Sequence, residues 1–343
     1  MGAADDLAAC LRLIAMQTVP LRDIEVARQH IAGRIEPTPT VLSATLSERF
    51  GVPVHLKLEQ RQTTGSFKLR GASNAIASLS SQEKARGVVA ASTGNHGRAL
   101  AHAARLEGVR AVICMSKLVP ANKVDEIRRL GAETRIVGNS QDDAQVEVDR
   151  LVAQEGLVMV PPFDDPAIIA GQGTLGLEIV ETVPDVATVL VPLSGGGLAA
   201  GVAAAVKGRN PSAKIIGVSM ERGAAMKASL DAGRPVQIEE LPTLADSLGG
   251  GIGLDNRLTF AMCRDLLDDV VLLSESEIAA GVVHAYEQER EIVEGAGAVG
   301  IAALLAGKAR PSGPTVLILS GRNIDMSQHR NIVCGTTQTE RAA

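Results

Sequence analysis

Short apolar runs alternate with longer amphipathic stretches along this 343-residue chain, and that alternation restricts its fold more than any other feature. The runs are rich in Val and Ile, which favour strands, and the stretches between them have the period of helices. We predict strands at 54–59, 87–92, 109–115, 133–137, 188–193, 215–219 and 314–320, and helices at 66–79, 95–107, 122–130, 141–153 and 197–207. Strands separated by helices pair in parallel, so the sequence predicts an α/β fold with parallel sheets between helices.

The length of the chain predicts two domains, because single hydrophobic cores seldom grow beyond roughly 250–300 residues. Parallel sheets bind ligands at the carboxyl ends of their strands. Each of the motifs described below lies at the end of a predicted strand or at the start of a predicted helix.

Composition and charge argue against a nucleic-acid partner. The aromatic content is 1%, with no Trp, so there is little on which bases could stack. The net charge of -5 provides no basic surface for phosphate backbones.

Cysteine spacing and hydropathy indicate a protein of the cytoplasm. The four cysteines, at 10, 114, 263 and 334, form neither a metal-binding pair nor a disulfide pattern, which suits a reducing compartment. No run of the roughly 18 apolar residues that a spanning helix needs occurs, so we expect no membrane segment. Residues 1–20 carry Asp5 and Asp6 near their start and lack the basic start of a signal peptide.

A glycine turn, which we define as residues 194–198, joins a buried strand to a helix with the sequence Ser-Gly-Gly-Gly-Leu. Its glycines allow backbone N–H groups to converge, and the helix that follows adds partial positive charge, which together suit a phosphate. The same residues would also serve in a tight turn that binds nothing. No Gly-Lys-Ser, Gly-Lys-Thr or GxGxxG pattern is present, which disfavours a nucleoside triphosphate or a dinucleotide.

Lys68 is the candidate nucleophile. It follows Phe67 in a stretch rich in Gly and Thr at the start of a predicted helix. An amine that is desolvated near the positive end of a helix loses its proton easily, and the neutral amine forms Schiff bases. An ordinary solvated surface lysine is the alternative.

Two further strand ends carry polar residues. The stretch 92–97, Ser-Thr-Gly-Asn-His-Gly, suits a carboxylate, although its hydroxyls would equally cap a helix. We expect His96 to be structural, because no carboxylate lies near it in sequence. Ser320, at the last strand end, can hydrogen-bond a heteroaromatic nitrogen or cap the next turn.

Together these motifs resemble fold-type II pyridoxal-phosphate enzymes, in which they occur in the same order. The motifs are Ser66-Phe67-Lys68, Thr93-Gly94-Asn95-His96-Gly97, the glycine turn, Glu294-Gly295-Ala296-Gly297-Ala298-Val299-Gly300 and Ser320-Gly321-Arg322-Asn323. The chain is most similar to threonine dehydratases and serine racemases, and among them to dehydratases of hydroxyectoine utilisation. The resemblance covers about residues 22–335.

The resemblance implies two αβα domains with parallel sheets, as in tryptophan synthase β-like folds. The large, discontinuous cofactor-binding domain would comprise 22–86 and 161–335, and the small domain 87–160. Residues 1–21 would form an N-terminal extension. The resemblance also implies a homodimer. It implies no feedback control by isoleucine, because no regulatory domain is expected after residue 335.

The resemblance also implies the site. Lys68 would be the catalytic residue and would carry pyridoxal 5'-phosphate as a Schiff base, with Phe67 beside the ring. Asn95 would bind the ring hydroxyl, Ser320 would face the pyridine nitrogen and Glu294 would lie close to the ring. The remaining groups are the phosphate-binding N–H groups of Gly195, Gly196, Gly197 and Leu198 and the carboxylate-binding residues Ser92, Thr93, Gly94, Asn95 and His96.

The expected reaction is the α,β-elimination of a β-hydroxy amino acid to a 2-oxo acid and ammonia. Threonine, serine and a hydroxylated diamino acid from hydroxyectoine breakdown all remain open as substrates. A racemase on the same cofactor is an alternative, since Thr93 retains the hydroxyl that serine racemases have there. A non-catalytic protein that binds a phosphorylated metabolite is another. We expect no metal ion, because Ser219 stands where the family usually has a glutamate.

Overall fold

The computed structural model describes residues 18–92, 94–119 and 121–335, apart from the side chains of residues 121 and 122. Thr93 and nearly all of the N-terminal extension therefore lie outside the described residues.

The strands of the described chain form two sheets. The larger sheet has the order β1-β2-β10-β7-β8-β9 and the smaller one the order β5-β4-β3-β6. The strands are β1 Thr40–Leu42, β2 Val54–Lys57, β3 Val88–Ala91, β4 Ala111–Met115, β5 Glu133–Ile136, β6 Val158–Met159, β7 Thr188–Pro192, β8 Lys214–Met220, β9 Asp269–Leu273 and β10 Thr315–Ile318.

Helices connect most of these strands. They are α1 Leu21–Ile31, α2 Ala44–Phe50, α3 Lys68–Ser78, α4 Ser81–Arg86, α5 Asn95–Leu106, α6 Ala121–Arg129, α7 Gln141–Glu155, α8 Pro166–Thr182, α9 Gly197–Arg209, α10 Ala225–Ala232, α11 Thr259–Leu266, α12 Glu275–Glu287, α13 Gly295–Leu305 and α14 Met326–Val333. Short 3-10 helices occupy Glu59–Arg61 and Asp246–Leu248.

The predicted α/β architecture is confirmed, with one exception to parallel pairing. Every predicted strand overlaps an observed one. All strand pairs are parallel except β1 with β2, which is antiparallel. The sequence pattern did not reveal β1, β6 or β9.

Small residues let helices approach closely in a core that has few aromatic side chains. A Cβ atom placed on Gly201 of α9 would lie 2.4 Å from the carbonyl oxygen of Ile169 and 2.7 Å from the nitrogen of Gly173, both in α8. The two helices therefore touch through their backbones, and larger side chains would separate them. This contact fixes α9, whose first two residues, Gly197 and Leu198, belong to the glycine turn.

The four strands of the smaller sheet all lie between residues 88 and 159. This range falls inside the expected small domain, 87–160, and the domain limits themselves stay a prediction. In the described part of the chain, no helix has both the length and the apolar character needed to cross a membrane.

Candidate active site

The loop that precedes Lys68 is joined to the end of β10. The backbone N–H of Phe67 donates to the carbonyl oxygen of Ser320 at 3.0 Å, and Ser66 forms an isolated β-bridge with Gly321. Residues far apart in sequence, Lys68 and Ser320, are thereby held at the same strand end.

Lys68 is half-buried. Its Nζ donates to the carbonyl oxygen of Pro162 at 2.6 Å and lies 5.4 Å from the centre of the Phe67 ring. Burial disfavours the charged form and lowers the pKa of Lys68 to about 8. With that pKa, about a tenth of the amine is neutral at neutral pH, enough to act as a nucleophile or base.

Close packing explains why the glycine turn contains only glycine at its three central positions. Gly196 has a φ of 90°, and a Cβ atom there would lie 3.0 Å from Cys263 Sγ. A Cβ atom on Gly195 would come within 2.3 Å of the Phe163 ring, and one on Gly197 within 3.0 Å of the Phe163 backbone. The turn is therefore held between Phe163 on one side and α11, which contains Cys263, on the other.

The N–H groups of this turn are available to a ligand. No side chain caps the N-terminus of α9. Across the described residues, no hydrogen bond uses the backbone N–H of Gly195, Gly196, Gly197 or Leu198. Unpaired N–H groups at a helix start bind phosphate well, so the turn fits the phosphate of pyridoxal phosphate.

The loop before α5 places its polar groups around the helix N-terminus. Ser92 Oγ accepts hydrogen bonds from the N–H groups of Gly97 at 3.0 Å and Gly94 at 3.4 Å, so its hydroxyl caps the first turn. A Cβ atom on Gly94 would meet nothing within 4 Å, which leaves open space beside this backbone.

His96 is buried against the main chain. Its Nε2 lies 2.8 Å from the carbonyl oxygen of Val160. Burial and the nearby Lys68 lower the pKa of His96 to about 3, so the ring is neutral at physiological pH and does not act as an imidazolium acid. Its structural role stays a prediction.

Asn95 and Asn323, both half-buried, form a hydrogen-bonded cluster with the buried Glu294. Asn95 Nδ2 donates to Glu294 Oε1 at 2.8 Å, and Asn323 Nδ2 donates to Asn95 Oδ1 at 2.5 Å. The backbone N–H of Asn323 donates to Glu294 Oε2 at 3.1 Å. Burial, followed by the charge of Asp246, raises the pKa of Glu294 to about 7. Two of the predicted cofactor-binding side chains, Asn95 and Glu294, are thus in direct contact.

Several hydroxyl groups near Lys68 lack strong partners. Ser320 is buried, and its Oγ makes one long contact of 3.4 Å with the carbonyl oxygen of Ala296. Within the described chain, the buried hydroxyls of Thr64 and Ser66 have no partner. Buried polar atoms are costly to leave unpaired, so these groups favour a polar ligand at this place.

No group of three or more His, Cys, Asp or Glu side chains that could hold a metal ion occurs among the residues that the structure describes. Glu221, which follows the family's usual metal position, instead accepts a hydrogen bond from Lys308 Nζ at 3.1 Å.

Sequence reasoning missed Pro162, Phe163, Asp246 and the side chain of Asn323 as parts of this site. Pro162 and Phe163 belong to a Pro-Pro-Phe-Asp-Asp run that follows a short apolar stretch and precedes a helix. That run was the available signal, because such connections lie at strand ends in α/β proteins. Asn323 was noted within its motif, but not its contact with Asn95.

Comparison with known proteins identifies relatives over nearly the whole chain. The family model described as pyridoxal-phosphate dependent enzyme matches residues 31–321. A protein of Sinorhizobium fredii named "Putative threonine dehydratase" is 65% identical over 94% of this chain and 98% of its own length. An L-threonine ammonia-lyase of Thermotoga maritima is 42% identical over 92% of this chain and 78% of its own length. The structure of maize serine racemase has a TM-score of 0.86 and 32% identity, covering 93% of this chain and 100% of the racemase chain.

Proposed function

This chain belongs to the pyridoxal-phosphate dependent enzymes and, within them, to the threonine dehydratase family, and from that membership we propose that it converts a β-hydroxy amino acid to a 2-oxo acid and ammonia. It is a lyase that depends on pyridoxal phosphate. One observation carries the proposal: the amine of Lys68 contacts Pro162, and the next residue, Phe163, packs on the glycine turn. The amine that would bond to the aldehyde of the cofactor and the turn that would bind its phosphate thus both contact the segment formed by Pro162 and Phe163.

The residues proposed to hold the cofactor suit its different parts. Lys68 is the attachment point, and the unpaired N–H groups of the glycine turn receive the phosphate. Phe67 lies beside the cofactor ring, and the neutral hydroxyl of Ser320 faces the ring nitrogen. Asn95 and Glu294 lie on the side of the ring that carries its hydroxyl group. When bound, the cofactor withdraws electrons from Cα of the amino acid.

The start of α5 is proposed to bind the substrate carboxylate. The residues are Ser92, Thr93, Gly94, Asn95 and His96. The N-terminus of a helix carries partial positive charge, and the space beside Gly94 allows a ligand to approach it. Because His96 is neutral and hydrogen-bonded to Val160, we assign its contribution to the backbone rather than to proton transfer.

Proton transfer at Cα is proposed for the amine of Lys68. Its lowered pKa makes the neutral, proton-accepting form accessible at physiological pH. Loss of the proton from Cα is followed by loss of hydroxide from Cβ, which leaves an enamine. The enamine takes up water and releases ammonia and the 2-oxo acid, so the overall reaction consumes no oxidant.

A panel of β-hydroxy amino acids tests the reaction. We expect equal amounts of 2-oxo acid and ammonia from at least one of L-threonine, L-serine and a 3-hydroxy-2,4-diamino acid, the substrate class that hydroxyectoine breakdown would supply. No product from any member would contradict the proposal.

The racemase alternative is favoured by the similarity to maize serine racemase. Chiral analysis of the remaining substrate in the same assays distinguishes the two activities. Loss of optical purity without ammonia would make the chain a racemase, and cofactor binding without either reaction would make it a binding protein.

We also propose that the chain is a cytoplasmic homodimer, with the domain limits given above. Sedimentation at several protein concentrations tests the dimer.

A further inference from the structure

The carboxylate of Asp164 caps a helix that begins 95 residues later in sequence. Its Oδ1 accepts hydrogen bonds from the backbone N–H groups of Leu258 at 2.9 Å and Thr259 at 2.8 Å. Its Oδ2 accepts from the N–H of Arg257 at 2.8 Å. Helix α11 has no cap from its own N-cap side chain, so Asp164 satisfies the N–H groups of Leu258 and Thr259 at the helix start. Asn256 Oδ1 accepts from the next one, the N–H of Phe260, at 2.8 Å.

The helix that Asp164 caps packs directly against the glycine turn. Thr259 and Cys263, both in α11, are fully buried. A Cβ atom on Gly196 would lie 3.0 Å from Thr259 Cβ and 3.0 Å from Cys263 Sγ. The position of α11 therefore determines where the backbone of Gly196 can lie.

The residue before Asp164 covers the other side of the same turn. The ring of Phe163 packs on Gly195 and its backbone on Gly197. The glycine turn thus lies between Phe163 and α11. The carboxylate of Asp164 connects the segment that contains Phe163 to α11 through hydrogen bonds.

We propose that Asp164 is a positioning residue that sets the shape of the glycine turn and so the affinity for the cofactor's phosphate. The proposal rests on the function proposed above, because it requires a phosphate in that turn. Asp164 touches neither the turn nor the cofactor in this scheme. It acts by holding Phe163 and α11 at the separation that keeps the N–H groups of residues 195–198 convergent.

The neighbouring Asp165 provides a matched control. Its Oδ1 accepts from the N–H groups of Ala167 at 2.8 Å and Ile168 at 3.0 Å, so it caps α8 within its own segment. Asp164→Ala and Asp165→Ala each remove a helix cap, but only the first unlinks α11 from Phe163. Asp164→Asn retains one carbonyl oxygen and places an amide group toward Arg257, so its effect should be intermediate.

The experiment compares two ligands that differ only in the phosphate. Cofactor is removed from the full-length enzyme, and pyridoxal phosphate and pyridoxal are titrated into the wild type and the three variants, with the thermal midpoint measured alongside. We expect Asp164→Ala to weaken pyridoxal phosphate binding about tenfold, as the loss of a cap allows, and pyridoxal binding less than about threefold. Asp165→Ala should leave the ratio of the two affinities unchanged even if its thermal midpoint falls.

The titrations distinguish a failure of the role of Asp164 from a failure of the proposed function. Equal losses for both ligands in Asp164→Ala, or the same ratio in Asp164→Ala and Asp165→Ala, would overturn the role of Asp164 alone. A wild type that binds pyridoxal as tightly as pyridoxal phosphate would instead overturn the phosphate site and with it the proposed function. If Asp164→Ala does not fold, the ratio in Asp164→Asn decides, with a fall of about threefold expected and an unchanged ratio contradicting the proposal.

Discussion

Among single residues, Lys68 combines burial, a carbonyl contact and a lowered pKa. Lys57 is also buried, with a carbonyl contact and a lowered pKa, but its amine pairs with the Glu178 carboxylate at 2.5 Å. Lys84 pairs with Glu107 at 3.1 Å near the surface. A desolvated amine favours its neutral form, which is the form that reacts with aldehydes.

Replacement of this amine should abolish the visible imine absorbance of the enzyme. We expect Lys68→Ala to lower ammonia release by about a thousandfold or more, because both the attachment point and the proton acceptor are lost. Lys84→Ala is the control and should keep both properties. Full imine absorbance in Lys68→Ala would assign the attachment to another lysine.

Glu294 should make the stability of the cofactor-free protein depend on pH. Its pKa is about 7 in the folded protein against 4.5 for the ordinary group. Between these values the unfolded chain gives up a proton that the folded protein keeps. This contribution to stability is therefore fully present below pH 4.5 and is lost as the pH rises through about 7.

Urea unfolding of the wild type and Glu294→Gln at about pH 5 and about pH 8 measures this contribution. The variant cannot lose a proton here, so the wild type should lose on the order of 3 kcal/mol relative to it over that interval. Parallel pH profiles for the two proteins would show that Glu294 has an ordinary pKa.

At the scale of elements, the glycine turn depends on the Phe163 ring that packs against it. An added Cβ on Gly195 would lie 2.3 Å from that ring, so Gly195→Ala must displace Phe163. Overpacking of this kind costs about 1–3 kcal/mol, and we expect pyridoxal phosphate affinity to fall about tenfold.

Gly300 in α13 is a suitable control for that substitution, because an added Cβ there would lie at an ordinary 3.4 Å from Leu317. Gly300→Ala should leave affinity unchanged in the same titration. Equal affinities for the wild type and Gly195→Ala would mean that the turn tolerates movement of Phe163.

The three strands that the sequence did not predict were missed for two different reasons. β6 spans two residues and β1 three, too short for any periodicity to emerge. β9 was detectable: its Val-Val-Leu-Leu run precedes Ser274, whose capping box with Glu277 starts α12. The acidic residues before this run interrupted its apolar pattern, so the strand was not predicted.

Local motifs predicted where the ligand groups lie in sequence, but not which segments enclose them. The strand ends at Lys68, Ser92, the glycine turn and Ser320 follow from periodicity and glycine placement. The contacts of Pro162 with Lys68 and of Asp164 with α11 join segments about 95 residues apart, and nothing in the local sequence of either segment encodes the other.

For the molecule as a whole, a buried ion cluster joins the larger sheet to two helices. Arg70 in α3 donates to Glu59 at 2.8 Å and to Glu178 in α8 at 2.6 Å, and Lys57 of β2 also contacts Glu178. Arg70 and Glu59 are fully buried, and removal of Arg70 takes away the only salt-bridge partner that Glu59 has among the described residues.

Arg70→Ala should therefore destabilise the whole enzyme by about 3–5 kcal/mol. Arg150→Ala, which breaks an exposed pair with Glu147, should cost less than about 1 kcal/mol. Denaturant unfolding of both variants checks this, and similar losses would show that water reaches the cluster around Arg70.

The position of β10 governs when a newly made chain can become an enzyme. In the described chain it is the last strand, yet it lies inside the larger sheet between β2 and β7. A polypeptide that has left the ribosome only as far as residue 310 has both its reactive lysine and its phosphate turn, but not the strand that brings them together. We therefore expect the cofactor to be captured only after β10 has left the ribosome and paired with β2 and β7.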